Sequence, residues 1–306
     1  MLVKGSVLLK DAQAGAYAVP AFNVNNMEIV EAVMKAALEL QSPVFLQTSQ
    51  GAISYAGMDY LIAMVRVAAK GKIPVALHLD HGTDLTIIKQ AIDSGFYTSV
   101  MIDGSAMPYA ENLSVTKRVV AWAHAKRISV EAELGSIGGK EDHIDIRRDQ
   151  ARLTDPRQAY DFVKRTRVDS LGVAIGTAHG AFKFTAKAKL DIARLQEIRG
   201  FVKIPLVLHG ASAVEKLYVG MANKYGGRIK GAKGNSDIEI RQAVRHGICK
   251  INIDTDLRVA FTAGVRRHLS RNPATIDPRE YLGEAKQYVY EVAKHKMELF
   301  GSAGKA

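Results

Sequence analysis

Residues 75–102 read VALHLDHGTDLTIIKQAIDSGFYTSVMI. An apolar, strand-like run at 75–79 leads into Asp80-His81-Gly82, Asp84 stands where it can cap a helix through Asp93, and a second β-branched run follows at 99–102. A strand, a helix and a further strand in succession form the unit of a parallel sheet, because strands running the same way need a crossover between them.

The same alternation extends in both directions. Strand-like runs occur at 18–22, 44–47, 75–79, 99–102, 129–134, 170–175, 205–208 and 249–253. Between them lie stretches of helical periodicity. In 27–40, Ile29, Val30, Val33, Ala37 and Leu40 recur at three- and four-residue spacing, and similar stretches occupy 58–69, 109–126, 156–165, 190–199, 237–246 and 256–271. Eight strand-then-helix units close a barrel, so an α/β fold of the (β/α)8 TIM-barrel type is predicted, with 281–300 as an extra C-terminal helix. No Pro/Ser-rich linker divides the chain, and residues 1–306 are read as one barrel domain. The Gly- and Lys-rich stretch 214–234 fits either a mobile active-site loop or a surface excursion.

The chain has 306 residues, 47% hydrophobic and 24% charged, which excludes a largely disordered polypeptide. Its apolar runs fall short of a membrane span, and Met1-Leu2-Val3-Lys4-Gly5 lacks a secretory signal, so a cytoplasmic protein is expected. The single cysteine, Cys249, precludes an internal disulfide and a thiolate-rich metal centre. A bound metal must then use His, Asp or Glu. The formal net charge of +11 favours anionic partners.

Charged residues interrupt the apolar strands near their C-terminal ends. Side chains alternate between faces, so His78 and Asp80 oppose Leu77 and Leu79, Glu131 and Glu133 oppose Val130, Ala132 and Leu134, and Asn252 and Asp254 oppose Ile251 and Ile253. Asp103 and His209 likewise oppose Ile102 and Leu208. With the apolar set on the helices, the polar set faces the lumen or its mouth. Burying such a ring is strongly unfavourable without compensation, and a divalent cation is the simplest compensator. His81, His179 and His209 follow strands three, six and seven, and three imidazoles with an open position suit a catalytic zinc. Asp80, Asp103 and Glu133 are then supporting partners, ligands of a second cation or proton carriers. His78 and the helical His124, His246, His268 and His295 read as structural.

Phosphate sites are suggested by Gly180, by Gly210-Ala211-Ser212 and by Asn252-Ile253-Asp254-Thr255, which ends the last strand just before a helix. Backbone N–H groups at such places hold anions, and the loops after strands seven and eight are the usual phosphate cradle of barrels. Arg258 stands one helical turn beyond Thr255. The stretch 135–142, Gly-rich and carrying Glu141, reads as a lid that brings a carboxylate to the site.

Asp80-His81-Gly82, Glu131-Ala132-Glu133-Leu134-Gly135 with Gly138-Gly139-Lys140-Glu141-Asp142, Gly176-Thr177-Ala178-His179-Gly180, His209-Gly210-Ala211-Ser212 and Asn252-Ile253-Asp254-Thr255-Asp256 occur in that order. With these motifs the chain resembles the class II, metal-dependent fructose-1,6-bisphosphate aldolases, in particular their short-chain branch, from Pro20-Ala21-Phe22-Asn23 to the last strand. The resemblance implies a carbon–carbon lyase of glycolysis and gluconeogenesis that reversibly cleaves fructose 1,6-bisphosphate to dihydroxyacetone phosphate and glyceraldehyde 3-phosphate. It implies His81, His179 and His209 as ligands of Zn2+, or of Co2+ or another divalent ion, and Asp103 and Glu133 at a second divalent position. Asp80 then exchanges a proton with the C4 hydroxyl, and Glu141 handles the proton at the nascent carbanion carbon.

The resemblance further implies Asn23 and Ser49 as substrate contacts, Asp254 at substrate hydroxyls, and Gly180, Gly210, Ser212, Asn252 and Thr255 around the phosphate of dihydroxyacetone phosphate. Main-chain groups near Gly180 and Gly210 would also hold a monovalent cation, Na+ or K+. Arg258 would reach the distal phosphate of a neighbouring subunit, implying a homo-oligomer, a dimer or a homotetramer. The chain departs from the pattern at Ala211 and Ala213, where many members have glycine, and at Lys140, where longer-chain members carry an acid.

Three other functions share some of these features. Tagatose-1,6-bisphosphate aldolase shares nearly every motif and differs in stereochemistry at C4. A metal-dependent hydrolase on the same barrel explains the metal but not the phosphate cradles. A basic nucleic-acid-binding protein fits the charge, but the basic residues are spread along helices and aromatics are only 7%. Neither nucleic acid nor membrane is expected as a partner.

Overall fold

A computed structural model of the chain describes residues 1–141, 144–146, 151–178, 189–230 and 234–306, with backbone alone at 140–141 and 144–146. Parallel strands follow one another around a closed barrel: β1 (Val19–Asn23), β2 (Val44–Ser49), β3 (Val75–Gly82), β4 (Ser99–Ile102) and β5 (Ser129–Leu134). After a separate antiparallel hairpin of β6 (Gly139–Glu141) and β7 (Ile144–Ile146), the barrel resumes with β8 (Ser170–Val173), β9 (Leu206–Leu208) and β10 (Ile248–Ile253), which pairs with β1. Each of the eight predicted runs contributes a barrel strand.

The helices are α1 (Gly5–Gly15), α2 (Met27–Leu40), α3 (Gln50–Ala56), α4 (Met58–Ala68), α5 (Leu85–Asp93), α6 (Tyr109–Ala125), α7 (Pro156–Thr166), α8 (Ile192–Phe201), α9 (Lys216–Lys224), α10 (Asp237–Arg245), α11 (Thr255–Arg271) and α12 (Pro278–Leu299). Their starts are chemically marked. The Asp84 carboxylate accepts from the Thr86 amide at 2.7 Å, Asp155 caps α7 ahead of Pro156, and Ser236 with Glu239 forms a reciprocal capping box on α10.

The strands bury both faces. Leu46, Leu77, Leu79, Val100, Ile102, Val130, Ala132, Leu171, Leu208, Ile251 and Ile253 pack outward against the helices. Inward and at the bottom, Val19, Ala21, Phe45, Ala76 and Cys249 form a separate cluster with Leu8, Leu9 and Ala12 of α1. This helix, short of strong periodic signal, plugs the N-terminal end of the barrel. No helix of the described residues is long and apolar enough to cross a membrane.

Four features go beyond the strand–helix pattern: α1, α3, the β6–β7 hairpin and α9. The last lies within the Gly- and Lys-rich stretch, where Tyr218 and Ala222, four residues apart, turn a buried face inward. Removing apolar volume from the floor should weaken the whole barrel, since the plug closes four strands at once. Leu9→Ala is expected to cost about 2–5 kcal/mol in urea unfolding, whereas a loss within experimental error would show that α1 does not support the barrel.

Candidate active site

Asp80 and His81 are consecutive, and strict alternation would point them to opposite faces of β3. A bulge brings both to the lumen: pairing of β3 with β4 shifts register between Leu79 and Gly82, and His81 takes φ 45°. That left-handed conformation is uncommon for a non-glycine residue and signals strain held by the surrounding structure. Gly82 permits the bend, because a Cβ there would lie 2.5 Å from the Met101 carbonyl oxygen. Glu131 and Glu133 of β5, His209 just after β9, and Lys250 and Asn252 of β10 converge from the other side, all buried.

The two histidines are oriented by carboxylates. His81 Nδ1 donates to Asp103 Oδ2 at 2.8 Å, and His209 Nε2 donates to Glu131 Oε1 at 2.8 Å. The remaining nitrogens, His81 Nε2 and His209 Nδ1, face each other at 2.8 Å. Asp80 is held from two sides: Asn23 Nδ2 donates to its Oδ2 at 2.9 Å and Asn252 Nδ2 to its Oδ1 at 2.8 Å. Gln47 in turn donates to Asn23 Oδ1 at 2.7 Å. Below them Lys250 Nζ reaches both Glu131 oxygens, at 3.0 and 3.2 Å.

This arrangement sorts the protons. Burial alone would raise Asp80, but the positive charges at His81 and Lys250 hold it below the usual carboxylate range. Burial likewise opposes ionisation of Asp103 and Glu131. The His81 hydrogen bond overrides it at Asp103, and Lys250 with His209 overrides it at Glu131, so both stay low. Glu133 behaves in the opposite way, pushed well up by burial and by the Asp103 charge. Burial and the Lys250 charge push His78 down to about 3, leaving a neutral ring whose Nδ1 lies 2.8 Å from Ser99 Oγ, consistent with a structural role.

The donor set fits a divalent cation. Ligand-capable atoms of Asp80, His81 and His209 lie within 4.8 Å of one another, as do those of His81, Asp103 and Glu133. Glu133 Oε2 is buried with no hydrogen-bond partner among the described residues, 3.9 Å from His209 Nδ1. In their neutral form, imidazoles whose outer nitrogens donate to carboxylates turn their inner lone pairs toward a metal, which would take the place of the second ring proton. Nitrogen and carboxylate oxygen without thiolate suit zinc or a similar ion. Asp103 serves both the orientation of His81 and the second group.

The other predicted residues fall as follows. Ser49 is buried at the end of β2, its Oγ accepting from the Ala52 amide to cap α3. Gly210 and Ser212 lie on the loop after β9, and Thr255 opens α11 beside the N-cap Asp254. Arg258 Nε donates to Asp254 Oδ1 at 2.7 Å, with its side chain partly exposed. Glu141 ends β6, opposite Ile144 in the hairpin, and its side chain lies outside the described residues. His179 and Gly180 lie outside them altogether. Two polar residues at the centre were not singled out from the sequence, Lys250 and Gln47. The signal for Lys250 was its face, shared with Asn252 and opposite Ile251.

Against this geometry the comparisons with known proteins agree. The family described as "Fructose-bisphosphate aldolase class-II" matches residues 3–305. A fructose-bisphosphate aldolase of Thermus caldophilus is 48% identical over the whole of both chains, and one of Giardia intestinalis is 46% identical over 98% of this chain and 93% of its own. Among solved structures, the YdjI aldolase of Escherichia coli K12 superposes with a TM-score of 0.81 at 34% identity, covering both chains fully. A putative fructose-1,6-bisphosphate aldolase from Coccidioides immitis gives 0.82 at 28% identity, covering 99% of this chain and 97% of that one. The chain belongs to the class-II fructose-bisphosphate aldolase family.

Proposed function

We propose that this protein cleaves fructose 1,6-bisphosphate reversibly into dihydroxyacetone phosphate and glyceraldehyde 3-phosphate, as a zinc-dependent cytoplasmic enzyme of sugar-phosphate metabolism whose residues 1–306 form one barrel domain. The observation that carries this reading is the convergence of Asp80, His81, Glu133 and His209 in one buried cluster at the C-terminal end of a barrel. His81 and His209, with His179 on family resemblance, would hold the zinc, and Asp103 and Glu133 a second cation. The bound metal supplies Lewis-acid polarisation of the substrate carbonyl.

The chain's own groups do the rest. Asp80, kept ionised and fixed by Asn23 and Asn252, takes the proton from the C4 hydroxyl as the C3–C4 bond breaks. Glu141 returns a proton to the three-carbon fragment. Asp254 meets substrate hydroxyls, Ser49 contacts the sugar, and the backbone at Gly180, Gly210 and Ser212 with the α11 N-terminus at Thr255 receives the first phosphate. Arg258 receives the second across a subunit boundary, which requires a dimer or tetramer. Lys250 keeps Glu131 ionised, and Glu131 fixes the His209 tautomer that offers Nδ1 to the metal.

A lysine within the lumen raises the question of Schiff-base chemistry. Lys250 Nζ is engaged by Glu131 beneath His209, so it is read as structural. Chelation should abolish cleavage and zinc restore it, while borohydride added with substrate should leave activity intact; a trapped lysine adduct would overturn the metal-dependent reading. Asp80→Asn should lower kcat by about 10²–10⁴-fold with zinc content unchanged in metal analysis. Lys250→Met leaves a buried carboxylate uncompensated. It is expected to cost about 3–5 kcal/mol in chemical unfolding and to weaken zinc retention during dialysis against a chelator.

A further inference from the structure

A second buried charge cluster lies away from the reacting groups. Asp256, in the first turn of α11, is buried, and so is Lys296 near the end of α12. Lys296 Nζ lies 3.1 Å from Asp256 Oδ2 and 3.7 Å from Glu215 Oε1. Asp256 also accepts two backbone amides of the loop that follows β9: Ala213 N–H at 3.1 Å and Val214 N–H at 2.6 Å.

The loop needs such support. Val214 is β-branched yet takes φ 49°, a conformation that such residues avoid. Two fixed acceptors on successive amides hold it there. On another side the backbone of Gly234 presses on the loop so closely that a Cβ would sit 1.9 Å from the Ser212 carbonyl oxygen. The position of Asp256 gives the contact a further consequence. It follows Thr255, and its partner Ala213 follows Ser212, so one carboxylate ties the loop bearing Gly210 and Ser212 to the helix start bearing Thr255.

We propose that Asp256 and Lys296 are positioning residues for the phosphate cradle. Asp256 sets the distance between its two halves, and Lys296, brought by the C-terminal helix, holds the Asp256 carboxylate in place. The inference rests on the assignment of that loop and helix start as the phosphate site. Helix α12 is well placed to carry such a group, since it is anchored on the same side by Glu291 to Tyr218 of α9 at 3.2 Å and by His295 to Asp237 of α10 at 3.1 Å.

The test is a double variant, Asp256→Asn with Lys296→Met, which removes both buried charges of the pair together and leaves only the part-exposed Glu215 without its cation. With zinc content equal to that of the parent, its KM for fructose 1,6-bisphosphate should rise about tenfold or more while kcat changes less than threefold. Calorimetric affinity for dihydroxyacetone phosphate should fall in parallel. A folded, metal-loaded double variant with parental KM and phosphate-ester affinity would overturn the proposal. Asp256→Asn alone, nearly isosteric, gives the same readings if the double variant does not fold. If the parent binds dihydroxyacetone phosphate but cleaves no bisphosphate, the aldolase reading fails, and the parent-to-variant affinity ratio still decides the role of Asp256 and Lys296.

Discussion

Everything at the centre of this barrel depends on how seven buried ionisable side chains share one small space. Asp80, His81, Asp103, Glu131, Glu133, His209 and Lys250 are all buried. Two like charges about 4 Å apart repel by about 4 kcal/mol at an effective dielectric near 20, so the groups cannot charge independently. The structure resolves this by pairing. Asp103 serves His81, Glu131 serves both His209 and Lys250, and two side-chain amides serve Asp80 beside the charges of His81 and Lys250. Glu133 is the group the pairing leaves over, and the one whose carboxyl burial drives upward. The surplus of negative character around it is what a cation would neutralise, so the economy of the core and the metal dependence of the family have one physical origin.

The strand arrangement makes this sharing possible. In a closed parallel barrel, every strand contributes at the same end, so residues distant in sequence meet at the lumen without any loop having to reach. Ser49 lies in register with Asp80, Phe22 with Ile253 and Asn252 with Ala21. The apolar alternates on the same strands fill the layer under the helices, so that β1, β2, β3, β5 and β10 secure the fold with one face and furnish polar site residues with the other.

The architecture was legible because its signal is repeated: eight apolar runs with helical periods between them leave little choice of topology. Polar residues breaking the alternation at Asp80, Asp103, Glu133 and His209 were equally visible, since a carboxylate in an apolar strand demands an explanation. The bulge at His81 was not visible. It depends on a register slip between two strands, and nothing in Leu79-Asp80-His81-Gly82 separates a strand that ends from one that bends and goes on. Lys250 was hidden for a different reason, because one lysine in a strand reads as an edge or surface residue until its partner Glu131 is known to stand opposite. The helix α9 was masked by the glycines and lysines around it, with only Tyr218 and Ala222 fully buried.

The plug formed by α1 has a consequence for traffic. Below the reacting groups the lumen is filled by Phe45, His78 and Lys250, and beneath these the floor cluster with Leu8, Leu9 and Ala12 leaves no way through. The site is a cul-de-sac. Ligands then reach and leave the reacting groups by the C-terminal end of the barrel, the end at which those groups stand. One-ended access is thus built in twice, by the side chains that pack the lumen and by the eleven-residue helix that covers its N-terminal end.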